Sequence, residues 1–311
     1  MRLSYTTLKV MDIEKLVSQK LKPDKYVIAV SGGVDSVVLL DIVSKIKNLK
    51  LIVAHFDHGV RIDSKLDQQL VRDLAKKYGL IFETKSVILG SNASEQLARN
   101  ARYKFLKSVM NVHRASGIIT AHHQDDAIET AVFNLLRGTG RRGLTSLDSN
   151  QVVFRPMLGI TKEQIRQYAQ QHHLIWREDS TNQDLKYGRN LIRSKLASIK
   201  DRSVIDNLLT EINNLKSTNQ DLDLALDELF INISEDNKLL KNEFINLPHK
   251  LALEVMAKWL RQNKISNYNS KLLNNLVVAA KSYKSQSQFS INNTTQLLVK
   301  GDFLIINTTP H

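Results

Sequence analysis

Three stretches of the chain gather residue types that can handle phosphate, a metal ion or an amine. The first is Ser31-Gly32-Gly33-Val34-Asp35-Ser36. Its paired glycines let a backbone approach an anion without Cβ clashes. A helix opening directly after them offers unpaired N–H groups and a positive dipole end. Ser31 and Ser36 add hydroxyl donors. Asp35 is out of place beside phosphate unless a magnesium ion lies between them or the carboxylate caps the helix. The string lacks the Gly-Lys-Ser/Thr of a Walker loop and the spacing of Gly-x-Gly-x-x-Gly. Ser-Gly-Gly by itself is a turn; the six residues together read as a phosphate loop.

The second stretch is His55-Phe56-Asp57-His58. Two imidazoles and a carboxylate suit a metal site, or a hydrogen-bonded loop beside a nucleotide. The third is His122-His123-Gln124-Asp125-Asp126-Ala127-Ile128-Glu129-Thr130. Asp126 and Glu129 stand three apart and share a helix face, where they suit an ammonium or magnesium ion. Acids in a first helical turn also favour the dipole.

Arginines recur around these motifs. Glu95, Arg99 and Arg102 fall at i, i+4 and i+7, so they form either a solvated salt-bridge ladder or a face aimed at substrate phosphates. Arg137-Gly138-Thr139-Gly140-Arg141-Arg142-Gly143 reads as a mobile cationic loop for nucleic acid phosphates. Arg155 opens an Arg-Pro pair before a helix. Arg189 and Arg193 share a helix face as an uncompensated pair, suited to phosphate or transition-state charge, or else to solvent.

Each motif needs an element to hold it. Apolar runs at Tyr26–Val30, Leu51–His55, Leu80–Lys85, Gly117–Ala121 and Val152–Phe154 read as strands. Helical periods follow to about Ile46, over Ser64–Tyr78, from a cap at Asn92, and over Gln124–Leu136. Alternating strands and helices imply a mainly parallel sheet covered on both faces. Such sheets bind ligands beyond their strands' carboxyl ends, where the three motifs fall. From about Thr161 to Lys284 the pattern is helical throughout. Gln288–Ile291, Gln296–Val299 and Phe303–Ile306 then alternate as short terminal strands.

The 311 residues suggest two domains. Net charge is +13, and residues 1–200 carry all of it, with 32 basic and 19 acidic side chains. Residues 201–311 hold 12 of each, with the bases gathered after 254. That shift sets the expected domains at 1–205 and 206–311. A positive surplus of this size suits a polyanionic partner. There are no cysteines, which excludes disulfides, thiolate metal sites and cysteine nucleophiles. No apolar stretch approaches a membrane span, and the N-terminus lacks a signal core. The expectation is a cytoplasmic protein without a membrane partner.

The phosphate loop resembles that of the ATP pyrophosphatases. In order, the motifs between residues 26 and 193 resemble the tRNA(Ile)-lysidine synthetase family. The match runs through His-x-Asp-His, Asn-x-x-Glu with two arginines, His-His-x-Asp-Asp-x-x-Glu-Thr, Arg-Gly-x-Gly, Arg-Pro, and Asp-Ser-Thr-Asn with Arg-Asn-x-x-Arg. Val60 stands where leucine is usual. The chain is similar to the short members, without a further C-terminal domain.

This resemblance implies a Rossmann-like, adenine nucleotide α-hydrolase-like domain and a smaller, mainly helical tRNA-contacting domain. It implies an ATP-dependent ligase that joins L-lysine to C2 of the wobble cytidine in tRNA(Ile) with a CAU anticodon. Ser31, Gly32, Gly33, Val34, Asp35 and Ser36 would bind ATP, with Mg2+ at Asp35. Catalysis would rest on Asp35, Asp126, Glu129, Arg189 and Arg193, the two acids holding the lysine ammonium. Arg99, Arg102, Arg137, Arg141 and Arg142 would bind nucleic acid. His55, Asp57, His58, His122, His123 and Asp125 would complete the site. A homodimer is an allowed arrangement. The alternatives are another tRNA-modifying enzyme of the same loop class, or a catalytically silent nucleotide- or RNA-binding protein. A thiolating enzyme would normally need the cysteines this chain lacks.

Overall fold

The computed structural model describes residues 10–59, 64–88, 95–147, 152–178, 188–199, 201–265, 268–282 and 286–308. In chain order the first elements are α1 (Val10–Ser18), β1 (Lys25–Ala29), α2 (Val34–Ser44), β2 (Lys50–Asp57), α3 (Ser64–Lys77) and β3 (Ile81–Ser86). Next come α4 (Glu95–Val112), β4 (Gly117–Ile119), α5 (Gln124–Leu136), α6 (Arg141–Leu144), β5 (Val153–Phe154), α7 (Lys162–Gln171), α8 (Gly188–Ala197) and α9 (Arg202–Asn232). The remainder is β6 (Ser234–Glu235), β7 (Lys238–Leu240), α10 (Lys241–Asn246), α11 (His249–Gln262), α12 (Ser270–Ser282), β8 (Gln288–Ser290), β9 (Thr295–Lys300) and β10 (Phe303–Thr308). Two compact units divide at Leu215, within α9. Among the described residues no helix is long and apolar enough to cross a membrane.

In the first unit five strands pair in the order β3-β2-β1-β4-β5, all parallel. Period-2 alternation sorts their side chains to two faces. Tyr26, Ile28, Val30, Leu51, Val53 and Ile119 pack with α1, α2, α3 and α7. Val27, Ile52, Ala54 and Ile118 pack on the other face with Phe105, Leu106 and Val109 of α4. Helix α2 is apolar nearly all round and, Asp35 apart, buried from Val34 to Val43, as a helix must be when it lies between a sheet and further helices. Helices α1 and α7 cover it.

In the second unit α11 and α12 pack around buried Trp259, Met256, Leu276 and Val277. An antiparallel sheet in the order β6-β7-β10-β9-β8 completes that core. The three terminal strands match the expected alternation. The β6–β7 hairpin corrects the expectation of unbroken helix to Lys284. Asp236 and Asn237 turn it with positive φ angles of 47° and 60°, a conformation these two residues tolerate best after glycine. Trp259 Nε1 donates to Asn237 O at 2.8 Å, holding the turn on α11.

Candidate functional site

The phosphate loop joins β1 to α2. Gly32 has φ +95°, which an L side chain rarely adopts, and its Cα faces Asp67 of α3. Gly33 is extended (φ −74°) and opens α2. Only Gly32 is therefore required by the backbone itself; Gly33 leaves room above the loop. Ser36 Oγ sits inside the loop. It accepts the N–H groups of Ser31 and Gly32 at 3.1 and 3.2 Å and donates to Gly33 O at 2.9 Å. Its hydroxyl thus shapes the loop. The Val34 side chain is buried in the core, so this residue can offer an anion only its backbone.

The loop is braced from behind by two residues outside the sequence motifs. Arg177 N–H donates to Gly32 O at 3.1 Å, and Arg177 Nε donates to buried Asp67 Oδ1 at 2.7 Å. On its open side Asp35 meets a third. Lys162 Nζ donates to both Asp35 oxygens at 2.6 Å. Lys162 begins α7, where a positive charge opposes the helix dipole. That misplacement was the available sequence signal. A box between Thr161 and Gln164 fixes this helix start, each backbone N–H meeting the other's side-chain oxygen.

The starts of α5 and α7 are stitched together. Gln124 N–H donates to Ile160 O at 2.9 Å, and Lys162 N–H donates to Asp125 Oδ2 at 2.7 Å. His123 caps α5, its N–H donating to Asp126 Oδ2 at 2.9 Å. The His123 ring is 6% exposed and lies among three carboxylates. Nε2 is 3.8 Å from Asp35 Oδ2 and 3.5 Å from Asp126 Oδ2, and Nδ1 is 3.4 Å from Asp125 Oδ2, off the line of a hydrogen bond. Burial disfavours the imidazolium, but Asp125, Asp126 and Asp35 outweigh it and raise the His123 pKa.

Glu129, on the next turn of α5, meets α8. Arg193 Nε donates to Glu129 Oε1 at 2.7 Å and Nη2 to Oε2 at 2.8 Å, with Asp126 Oδ1 3.8 Å away. Arg193 is therefore a compensated cation, which corrects the expectation of an unpaired arginine. Burial raises the Glu129 pKa above its ordinary value despite the arginine. The structure brings Asp35, His123, Asp125, Asp126, Glu129, Lys162 and Arg193 into one connected set. Arg189 lies on the first turn of α8, with its side chain outside the described residues.

The other candidates surround this set. His55 Nδ1 lies 2.9 Å from Val30 O, and burial lowers its pKa, so the ring is neutral beside the loop. Asp57 accepts from Gly59 N–H and Ser64 Oγ at 2.8 and 2.9 Å and so ties its own loop down. His58 packs edge-on to Phe56. His122 pairs with Thr120 Oγ1 at 2.8 Å; burial, then Arg155, Arg102 and Arg99, holds its pKa well below the ordinary imidazole value. The α4 arginines, which also lie over the Tyr103 ring at 5.0 and 5.8 Å, therefore face the same side as His122. Glu95's side chain and Asn92 lie outside the described residues. So does the stretch from Asp179 to Tyr187.

The arginine-glycine stretch forms a turn around the short α6. Asn134 Nδ2 donates to Gly143 O at 2.6 Å and Ser146 Oγ at 3.0 Å. A Cβ on Gly143 would strike Thr139 Oγ1 at 2.2 Å. Arg137 lies over the Phe133 ring at 4.5 Å, with Arg141 and Arg142 on α6.

Among the described residues no group of three His, Asp or Glu side chains is arranged to hold a metal ion. Asp35 still presents hard oxygen donors toward a cation at the mouth of the phosphate loop. That donor set fits a magnesium ion held mainly by phosphate oxygens and one carboxylate.

A PP-loop domain model matches residues 6–199. A tRNA(Ile)-lysidine synthase from Francisella tularensis subsp. holarctica is 30% identical over 298 residues, which are 93% of this chain and 75% of that protein. One from Thermus thermophilus is 42% identical over 177 residues, 55% of this chain and 34% of that protein. Among solved structures, the U34-tRNA thiolase from Methanococcus maripaludis superposes with a TM-score of 0.54 at 17% identity, covering 66% of this chain and 78% of that one. At that identity the likeness is one of fold.

Proposed function

The chain belongs to the PP-loop domain family and to the tRNA(Ile)-lysidine synthases, and from that premise we propose how its residues divide the work. The reaction is the ATP-dependent joining of L-lysine to C2 of the wobble cytidine of tRNA(Ile) with a CAU anticodon. The cytidine C2 oxygen attacks the α-phosphorus of ATP and pyrophosphate leaves. The lysine ε-amine then attacks C2, AMP leaves, and the amine loses its proton.

One observation carries this reading: a carboxylate-rich cluster lies directly beside a phosphate loop. Four acids, Asp35, Asp125, Asp126 and Glu129, share it with Lys162, Arg193 and His123. An anion site adjoining carboxylates that can hold a cationic amine is what lysine transfer to an adenylate needs.

The backbone from Ser31 to Ser36 and the start of α2 hold the ATP phosphates. Asp35 is the residue that would hold magnesium, which screens phosphate charge when bound with ATP. Lys162 then moves its ammonium from Asp35 toward a phosphate. Asp126 meets the lysine amine and takes its proton, because both Glu129 oxygens already accept from Arg193. Glu129 and Arg193 form the wall that aims Asp126. Arg189 lies on the same helix as Arg193 and serves the phosphates or the tRNA.

The cytidine must leave its stack to reach the loop, at a cost of about a few kcal/mol. Arg99, Arg102, Arg137, Arg141 and Arg142 offset that cost by contacts to the tRNA backbone. Residues 206–311 contact the acceptor side and help to refuse methionine tRNA, which carries the same anticodon. Incorporation of radiolabelled lysine into tRNA(Ile) with a CAU anticodon tests the reading. ATP-dependent labelling with release of AMP is expected. A folded, ATP-binding protein that labels no tRNA would refute it.

A further inference from the structure

We infer that Tyr168 is a positioning residue: its hydroxyl on Asp41 sets the register of α7 along α2, and through it the reach of Lys162 to Asp35. Helices α2 and α7 pack side by side. They are joined by two polar rungs, Asp35 to Lys162 and Asp41 to Tyr168. On each helix the two residues stand six apart. Six residues advance a helix by about 9 Å and turn it about 1.7 times. The rungs therefore straddle the seam between the helices. Two such rungs fix roll as well as slide, which a single rung cannot do.

The second rung is set deep in the core. Tyr168 is fully buried and Asp41 is 5% exposed. Tyr168 Oη lies 2.8 Å from Asp41 Oδ2 and 2.7 Å from Glu14 Oε1, so its one proton serves both carboxylates. Lys45 Nζ donates to it at 2.9 Å, and Tyr78 Oη donates to Asp41 Oδ1 at 2.6 Å. The Tyr168 ring stacks on His172 at 4.0 Å. Apolar side chains would hold these helices together as well or better. Lys45 and Glu14 reach solvent, but the Asp41–Tyr168 pair itself is buried. A buried polar pair of this kind is best explained by the single alignment it permits. The bonds from Lys162 N–H to Asp125 and from Gln124 N–H to Ile160 O fix where α7 begins relative to α5. The Tyr168 rung is the tie between α7 and α2 that does not involve Lys162 or Asp35.

The inference rests on the reading that Lys162 and Asp35 belong to the nucleotide site. Calorimetric ATP affinity of the full chain tests it in a double-mutant cycle of Tyr168→Phe and Lys162→Met. Tyr168→Phe keeps the stacked ring and removes only the hydroxyl. It is expected to weaken ATP about fivefold in the wild-type background, and by less than about twofold once Lys162 is methionine, because coupled residues are not additive. Asp41→Asn should show the same pattern and serves if Tyr168→Phe does not fold. Equal weakening in both backgrounds, or none in either, overturns the inference alone. Lys162→Met with unchanged ATP affinity removes Lys162 from the nucleotide site and overturns the reading and the inference together.

Discussion

Arg193 grips Glu129 with a two-pronged fork, Nε to Oε1 at 2.7 Å and Nη2 to Oε2 at 2.8 Å, so that the second carboxylate of the acidic pair is already engaged. The planar fork matches a carboxylate in a way a lysine cannot. Arg193→Lys should therefore behave nearly like Arg193→Met. Arg193→Met leaves buried Glu129 uncompensated and Arg193→Lys leaves it without its fork, and both should lower stability by about 1–3 kcal/mol, discounted for the partial exposure of the arginine. Lysine transfer should fall by about a hundredfold or more with either variant. Denaturant unfolding and single-turnover transfer check the two effects. Full activity in Arg193→Lys would mean that only charge matters there.

The two glycines of the phosphate loop should separate fold from binding. Gly32→Ala forces a side chain into φ +95° beside Asp67 and should cost about 1–2 kcal/mol of stability. At Gly33 the backbone is extended and the nearest atom to a new Cβ is Ser31 Oγ at 3.6 Å. Gly33→Ala should fold with an unchanged Tm and bind ATP more weakly, because its methyl occupies the side from which phosphate approaches. Thermal melts and ATP titration of the two variants distinguish them. An unaffected ATP affinity in Gly33→Ala would place the phosphates elsewhere.

The raised pKa of His123 has a consequence for stability against pH. The folded value lies above the ordinary 6.5, so the folded protein binds this proton more tightly than the unfolded chain. Its contribution is fully present below the unfolded value and is lost as pH rises through the folded one. The Tm difference between wild type and His123→Gln should therefore shrink as pH is raised from about 6 to about 9. A difference that stays constant or grows over that range would mean that the ring is neutral among its three acids.

The motif spacings carried much of the site. His123, Asp125, Asp126 and Glu129 sit on one helix start, so their juxtaposition is local and readable. Alternation along β1 and β2 likewise marked a sheet buried on both faces. Lys162, Asp67 and Arg177 were missed because each reaches the phosphate loop only through tertiary packing, from α7, from α3 and from the chain after α7. No period or spacing records such a meeting. The compensation of Arg193 was hidden for the same reason: α8 must fold onto α5 before the fork can close. The β6–β7 hairpin was missed because strands of two and three residues are too short to show a period, leaving only Asp236-Asn237 as a signal.

The arginine turn makes a prediction about tRNA. Removing one arginine from a phosphate should reduce the salt dependence of binding by about one counterion. Arg142→Gln should weaken tRNA binding at low salt, flatten its salt slope by about one, and leave ATP affinity unchanged. Filter binding across a salt series measures this. An unchanged slope would remove α6 from the tRNA surface.

In the proposed division of labour, adenylation and lysine capture use neighbouring groups of one site, the phosphate loop and Asp126. Asp126→Asn keeps the shape and the His123 contact while removing the charge. The deciding experiment follows tRNA-dependent pyrophosphate release beside lysine incorporation in that variant. Pyrophosphate release should stay within about tenfold of wild type while lysine incorporation falls by about a thousandfold. Loss of both steps together, or retention of both, would contradict the division of roles.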